Sequence, residues 1–166
     1  DFSETLRNGT TVNGTFDAIE DDNHAAFSKT MNFPEGSYLE LLHQSADITL
    51  NPVDSTIHLT MVEKKQFKSG RLDTVRLEID ETFEEDVKTT HMEAWNSDGS
   101  HADLTVSEFD GYEKVSGNYT GPMGYYTLIE ATNYEDGSSE LNLRIYQSEE
   151  AYNNGESPLV IIYIFN

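Results

Sequence analysis

The sequence is poor in several residue types that many functions require. It contains no cysteine and one tryptophan, and 10 of its 166 residues are Lys or Arg against 31 Asp or Glu. The lack of cysteine excludes disulfides, thiolate catalysis and Cys-ligated metal sites. The formal net charge of -21 makes nucleic acid an improbable partner, because phosphate binding needs a basic surface. The longest apolar run falls far short of the roughly 20 residues of a membrane-spanning helix, so we expect no membrane span.

The remaining composition is that of a folded chain. Hydrophobic residues make up 36% of the sequence, and eight Phe, nine Tyr and one Trp are present, whereas acidic disordered chains are poor in aromatic residues. The length suits a single domain spanning residues 1–166. The chain begins at Asp1 rather than Met and is acidic, which favours a secreted or surface-displayed protein released from a processed precursor.

Apolar and polar residues alternate with a period of two along much of the chain. In one segment Val75, Leu77 and Ile79 alternate with polar residues, as in a strand with one buried and one wet face. Further strands are expected near residues 11–20, 25–33, 37–43, 46–50, 57–61, 87–95, 104–106, 112–119, 124–132, 141–145 and 158–165. Turn signals such as Asn13-Gly14 and Asp110-Gly111 separate them, and helical turns compete only at 81–87 and 148–152. The pattern predicts one antiparallel all-β domain, a β-sandwich with a closed barrel as the alternative.

The C-terminal segment breaks this alternation. Seven consecutive apolar residues follow Pro158, which predicts a strand buried on both faces: Leu159, Val160, Ile161, Ile162, Tyr163, Ile164 and Phe165. On an exposed edge such a strand would promote aggregation. It is therefore expected either to be a central, covered strand or to be completed by another protein chain. The second arrangement would make the protein a subunit that assembles with itself or with other chains.

Half of the positive charge lies in one predicted strand–turn–strand segment, residues 56–76. Four of its basic residues are candidates for electrostatic docking to an acidic partner: Lys64, Lys65, Lys68 and Arg71. A solvated hairpin tip explains the same residues without a partner. If docking occurs, association should weaken as salt is raised.

Acidic loops and histidines supply the candidate metal ligands. Two loops combine carboxylates with a glycine in the way that calcium sites do, and their candidate ligands are Asn96, Asp98, Asp103, Glu135 and Asp136. Neither loop has the full spacing of a calcium-binding loop, so the prediction is of no cofactor, with calcium as the alternative. No two of the five histidines are spaced as a metal motif requires, so a transition-metal site would have to be assembled by the fold.

Aromatic residues provide a further alternative, since sugar-binding modules stack sugars on exposed rings. The candidates for such a glycan site are Trp95, Tyr125 and Tyr126. No nucleophile elbow, phosphate loop or dinucleotide fingerprint is present, and composition cannot select a catalytic carboxylate pair. We therefore expect a non-enzymatic protein-interaction or assembly domain. A carbohydrate-binding module, with or without calcium, is the alternative, and a small-ligand barrel or glycan-active enzyme with a carboxylate pair is a further one.

Overall fold

The computed structural model describes residues 1–84 and 86–166 and confirms the all-β class. These two ranges contain twelve strands and one short helix, in the order β1 (Phe2–Thr5), β2 (Thr11–Asp21), β3 (His24–Asn32), β4 (Leu39–Asn51), β5 (Thr56–Phe67), β6 (Leu72–Glu84), β7 (Val87–Asn96), β8 (His101–Phe109), β9 (Tyr112–Thr120), β10 (Tyr126–Tyr134), β11 (Ser139–Tyr146), α1 (Glu149–Asn153) and β12 (Val160–Phe165).

All twelve strands belong to one antiparallel sheet, and their order in space is their order in sequence. Strands β1 and β12 form the two edges, so the sheet does not close into the barrel that was the alternative prediction. The predicted two-layer sandwich is not confirmed, because each described strand pairs with its neighbours in this single sheet. Short connections explain the order, since antiparallel strands joined by tight turns pair side by side.

The sheet has one apolar and one polar face, as the alternation predicts. The registers align one row of apolar residues and a glycine across ten strands: Ala25, Ile48, Leu59, Ile79, Met92, Leu104, Gly117, Ile129, Leu143 and Ile162. Directly opposed residues of paired strands project from the same face, so this row lies on one side of the sheet. We call the side of the sheet that carries this row the apolar face, and the opposite side the polar face.

Five of the hairpin loops share one geometry, which sets the register between their strands. In each, the first residue's N–H donates to the fifth residue's carbonyl, and a glycine in fourth position donates to the first residue's carbonyl. These glycines have φ between +82° and +88°, which is the left-handed region that glycine adopts without steric cost. The loops span residues 6–10, 67–71, 96–100, 121–125 and 134–138.

Few residues are buried for a chain of this size. Among the described residues, the buried hydrophobic ones are Val12, Met31, Ala46, Phe67, Tyr126, Tyr146 and Ala151. The accessible surface is 10813 Å² for 18.7 kDa, whereas a folded monomer of this mass exposes about 8,300 Å². The excess of about 2,500 Å² follows from the single layer, because residues of the apolar face such as Met61 and Ile48 stay 40% exposed.

Local corrections to the sequence prediction have simple causes. The predicted strands 37–43 and 46–50 form one strand, β4, and Asn13-Gly14 lies inside β2 instead of in a turn. Gly14 is needed there because the Phe2 ring and the Thr30 carbonyl occupy the space of a side chain. Residues 81–84 and 87 are strand instead of a helical turn, while residue 85 lies outside the described residues. The other helical prediction is confirmed by α1, which Ser148 caps.

Candidate functional site

Strand β12 is an open edge of the sheet. Ser139 and Asn166 exchange both backbone hydrogen bonds, at 3.1 and 3.0 Å. Because such pairs recur at every second residue of an antiparallel ladder, the register directs the backbone groups of Val160, Ile162 and Ile164 toward β11. The N–H and C=O groups at positions 161, 163 and 165 therefore point away from the sheet, where an added strand would bind them.

The side chains of β12 are exposed, which corrects the prediction that both of its faces are buried. Their exposed fractions run from 37% at Ile162 to 72% at Phe165, and Leu159 just before the strand is 56% exposed. The strand is therefore not central and covered. An unbroken apolar run predicts burial, but the order of the strands places this last strand of the described chain at an edge of the sheet.

A groove on the polar face adjoins this edge. It has a volume of about 510 Å³, spans β8 to β12 and includes Tyr163 and Phe165 in its wall. Two carboxylates, Glu130 and Glu140, also line it. Glu130 accepts hydrogen bonds from Arg144 at 2.6 Å and from Asn142 at 2.9 Å. The groove thus ends in two aromatic side chains of the free strand.

The four basic docking candidates do not share one surface. Lys64 and Lys65 are neighbours in β5 and so project from opposite faces of the sheet. Lys65 forms an ion pair with Glu63 at 2.5 Å. Arg71 pairs with Asp73 at 2.8 Å and lies 4.2 Å from the Phe67 ring centre.

Lys68 follows the end of β5 and hydrogen-bonds the Pro34 carbonyl at 3.4 Å. The segment is the hairpin that the sequence predicts, but two of the four candidate residues, Lys65 and Arg71, form ion pairs with carboxylates of the same hairpin. Electrostatic docking through these residues stays a prediction.

The three aromatic candidates lie in different surroundings. Trp95 stacks on His101 with ring centres 5.4 Å apart, and Tyr125 is exposed in the loop between β9 and β10. Tyr126 is 6% exposed and stacks on Tyr152 at 5.3 Å, beside α1. Burial raises the pKa of the Tyr126 hydroxyl. Carbohydrate binding stays a prediction that rests on Trp95 and Tyr125.

The calcium candidates are divided between turns and a strand. Asp98 accepts hydrogen bonds from the Ser100 N–H and hydroxyl, and Asp136 does the same with Ser138. The serine hydroxyl bonds, supported by the backbone bonds, lower the pKa of both carboxyls. These bonds therefore stabilise the turns above the ordinary aspartate pKa and are lost as the pH falls through the lowered value.

The other three calcium candidates are distributed as follows. Asn96 ends β7, Glu135 lies in the β10–β11 turn, and Asp103 lies within β8. Asp103 lies beside a residue that the calcium prediction did not include, since its Oδ1 is 2.9 Å from Nε2 of His91. Calcium binding by these residues stays a prediction.

Sequence reasoning missed the group that contains Asp103. His91 and Glu93 of β7 and Asp103 of β8 each place one ligand atom within 4.8 Å of the others. The signal was the spacing of His91 and Glu93, which puts both side chains on one face of a strand. A rule for histidine pairs does not find this group, although a mixed His–Glu pair two residues apart in a strand has the same geometry.

Comparison of the chain with protein-family models, with curated proteins and with solved structures finds no match in any of the three. Within the part of the chain that the structure describes, no helix has the length and apolar composition needed to cross a bilayer. A functional conclusion therefore depends on the geometry of the sheet, its edges and its two faces.

Proposed function

We propose that this protein is an assembly domain whose free edge strand β12 pairs with a strand of another protein chain, in the first place β12 of a second copy. The observation that carries the proposal is the pairing of β12 with β11 on one side alone, with apolar, exposed side chains on both faces. Natural edge strands are normally protected by charges, proline or a bulge along their length. Residues 160–165 contain neither a charge nor a proline.

The opposite edge supports the choice of β12. Strand β1 has four residues and carries Glu4, which forms an ion pair with Lys29 at 3.3 Å. A short, charged edge is one of the ways in which proteins prevent strand addition. The two edges of the sheet therefore differ, and β12 is the one suited to accept a further strand by backbone hydrogen bonds.

Charge opposes self-association of the chain, but it opposes contact through β12 less than contact through a charged surface. Two copies each carry a formal charge of -21 and repel each other, so contact is least costly where both surfaces are uncharged. An antiparallel β12–β12 pair with a two-fold axis brings two uncharged strands together. Edge-to-edge pairing leaves the apolar face uncovered, so the surface of about 2,500 Å² that the single layer exposes beyond a normal monomer is a separate feature.

Several finer predictions stay open under this proposal. The two-layer sandwich requires a second layer over the apolar face, which could come from another chain. An extracellular or surface-displayed location is proposed on composition, since a highly acidic surface suits a salty setting. Neither point is needed for strand pairing at β12.

Light scattering at varied salt tests the proposal. We expect the mass to rise above 18.7 kDa with protein concentration. The association should strengthen from about 10 mM to about 1 M salt, because the Debye length falls from about 30 Å to about 3 Å and screens the repulsion. Docking of the basic hairpin on an acidic surface predicts the opposite salt dependence, with association weakening as salt is raised. A mass that stays monomeric up to about millimolar protein, equivalent to under about 4 kcal/mol of association, contradicts self-pairing.

A further inference from the structure

A row of like charges crosses the centre of the polar face. Glu78 of β6, Glu93 of β7 and Asp103 of β8 stand directly opposite one another in successive strand pairs. Like charges in directly opposed positions of a sheet destabilise it. Arg76 forms an ion pair with Glu78, which leaves Glu93 and Asp103 as adjacent carboxylates within the row. The sheet thus places two negative charges side by side where a cation would relieve their repulsion.

An imidazole completes this pair of carboxylates. His91 lies two residues before Glu93 on the same face of β7, and its Nε2 is 2.9 Å from Oδ1 of Asp103. One ligand atom from each of the three side chains lies within 4.8 Å of the others, and all three residues are half-buried. Tetrahedral zinc with bonds of about 2.0–2.1 Å needs ligand atoms about 3.4 Å apart. Side-chain rotation on a fixed pair of strands can supply that change.

We propose that His91, Glu93 and Asp103 form a binding site for a divalent transition metal such as Zn²⁺. The donor set selects this class of ion, because an imidazole nitrogen suits zinc, copper or nickel, whereas calcium takes six to eight oxygen ligands. Water fills the remaining coordination position. The site lies on β7 and β8, in the middle of the sheet, and does not depend on strand pairing at β12.

Two other His–Asp pairs on the same face serve as internal controls. His24 lies 3.0 Å from Asp47, and His58 lies 2.6 Å from Asp80. Among the described residues, the group at His91 is the one in which a third ligand joins the pair. Loss of His24 should therefore leave metal binding unchanged, although it removes an imidazole and breaks a comparable contact.

Calorimetric titration of the metal-free chain with Zn²⁺ tests the site. We expect one equivalent to bind, and His91→Gln, Glu93→Gln and Asp103→Asn each to weaken binding at least about tenfold, since even residues outside the ligand set change affinity about 10–100-fold. His24→Gln should bind as the parent chain does. Trp95, the single tryptophan, lies two residues beyond Glu93 on the same face, so Cu²⁺ bound at the site should quench its fluorescence.

Thermal unfolding separates a lost ligand from a lost fold. Without metal, Glu93→Gln should melt at or above the parent temperature, because it removes a like-charge contact. With Zn²⁺ present, the parent chain should melt at a higher temperature than Glu93→Gln, because only the parent keeps all three ligands. The proposal is overturned by unchanged Zn²⁺ affinity in the three variants, by an equal loss in His24→Gln, or by tighter binding of Ca²⁺ than of Zn²⁺.

Discussion

Tyr163→Pro is expected to weaken association of the chain by at least about 30-fold while leaving the monomer folded. The Tyr163 N–H points away from β11, so proline removes no hydrogen bond within the sheet, and its fixed φ is tolerated at an edge strand. In a symmetric β12–β12 pair each copy loses one donor. Two lost hydrogen bonds at about 1 kcal/mol each correspond to about 30-fold weaker association, before any steric effect of the ring. Analytical ultracentrifugation measures the change.

Tyr163→Thr is the matched control for the proline variant. Threonine shortens the side chain, which is 60% exposed, but it keeps the backbone N–H and favours extended structure. We expect this variant to associate within about tenfold of the parent chain. Parent-like association of the proline variant would contradict strand pairing. An equal loss in both variants would assign the effect to the tyrosine ring instead of the strand edge.

Gly117→Ala is expected to produce the largest loss of stability of any single substitution considered for this sheet. Gly117 lies in β9 with φ of +155°, and a Cβ there would come within 2.0 Å of the Asp103 carbonyl and 2.8 Å of the Leu104 Cα. These are backbone atoms of the neighbouring strand, so neither can rotate away. Backbone strain and overpacking together should cost about 3 kcal/mol or more, which lowers the melting temperature by about 6–12 °C.

Two other glycines give controls for this loss. At Gly121 a Cβ would meet nothing closer than 3.5 Å, and Gly121→Ala should change stability by less than about 0.5 kcal/mol. Gly124→Ala retains the strain of a φ of +84° in open space and should fall between the two. Urea unfolding followed by Trp95 fluorescence, at a concentration where the chain is monomeric, compares them. A Gly117→Ala variant as stable as Gly121→Ala would contradict the close approach of β8 and β9.

The two faces of the sheet could be predicted from the sequence because alternation encodes them locally. Val75, Leu77 and Ile79 project from the apolar face, as their spacing requires. The number of layers could not be predicted in this way. The same alternation fits a strand whose apolar face is covered by a second sheet and one whose apolar face is left half exposed, and only the pairing partners distinguish them.

The C-terminal strand shows where a burial argument fails. Seven apolar residues normally indicate a strand covered on both faces, but position in the sheet decides whether a cover exists, and β12 is at the edge. The sequence prediction missed the cluster at His91 for another reason. Glu93 and Asp103 come together only through the register of β7 on β8, which a sequence without its strand pairing does not give.

Hydrogen exchange at single amides tests strand pairing at β12 most directly. The amides of Ile162 and Ile164 face β11 and should be protected at every protein concentration, whereas those of Ile161, Tyr163 and Phe165 face outward. We expect these three to exchange rapidly in the monomer and to become protected under conditions where the mass shows association. Associated protein in which the three outward amides still exchange as fast as in the monomer would contradict assembly through this strand.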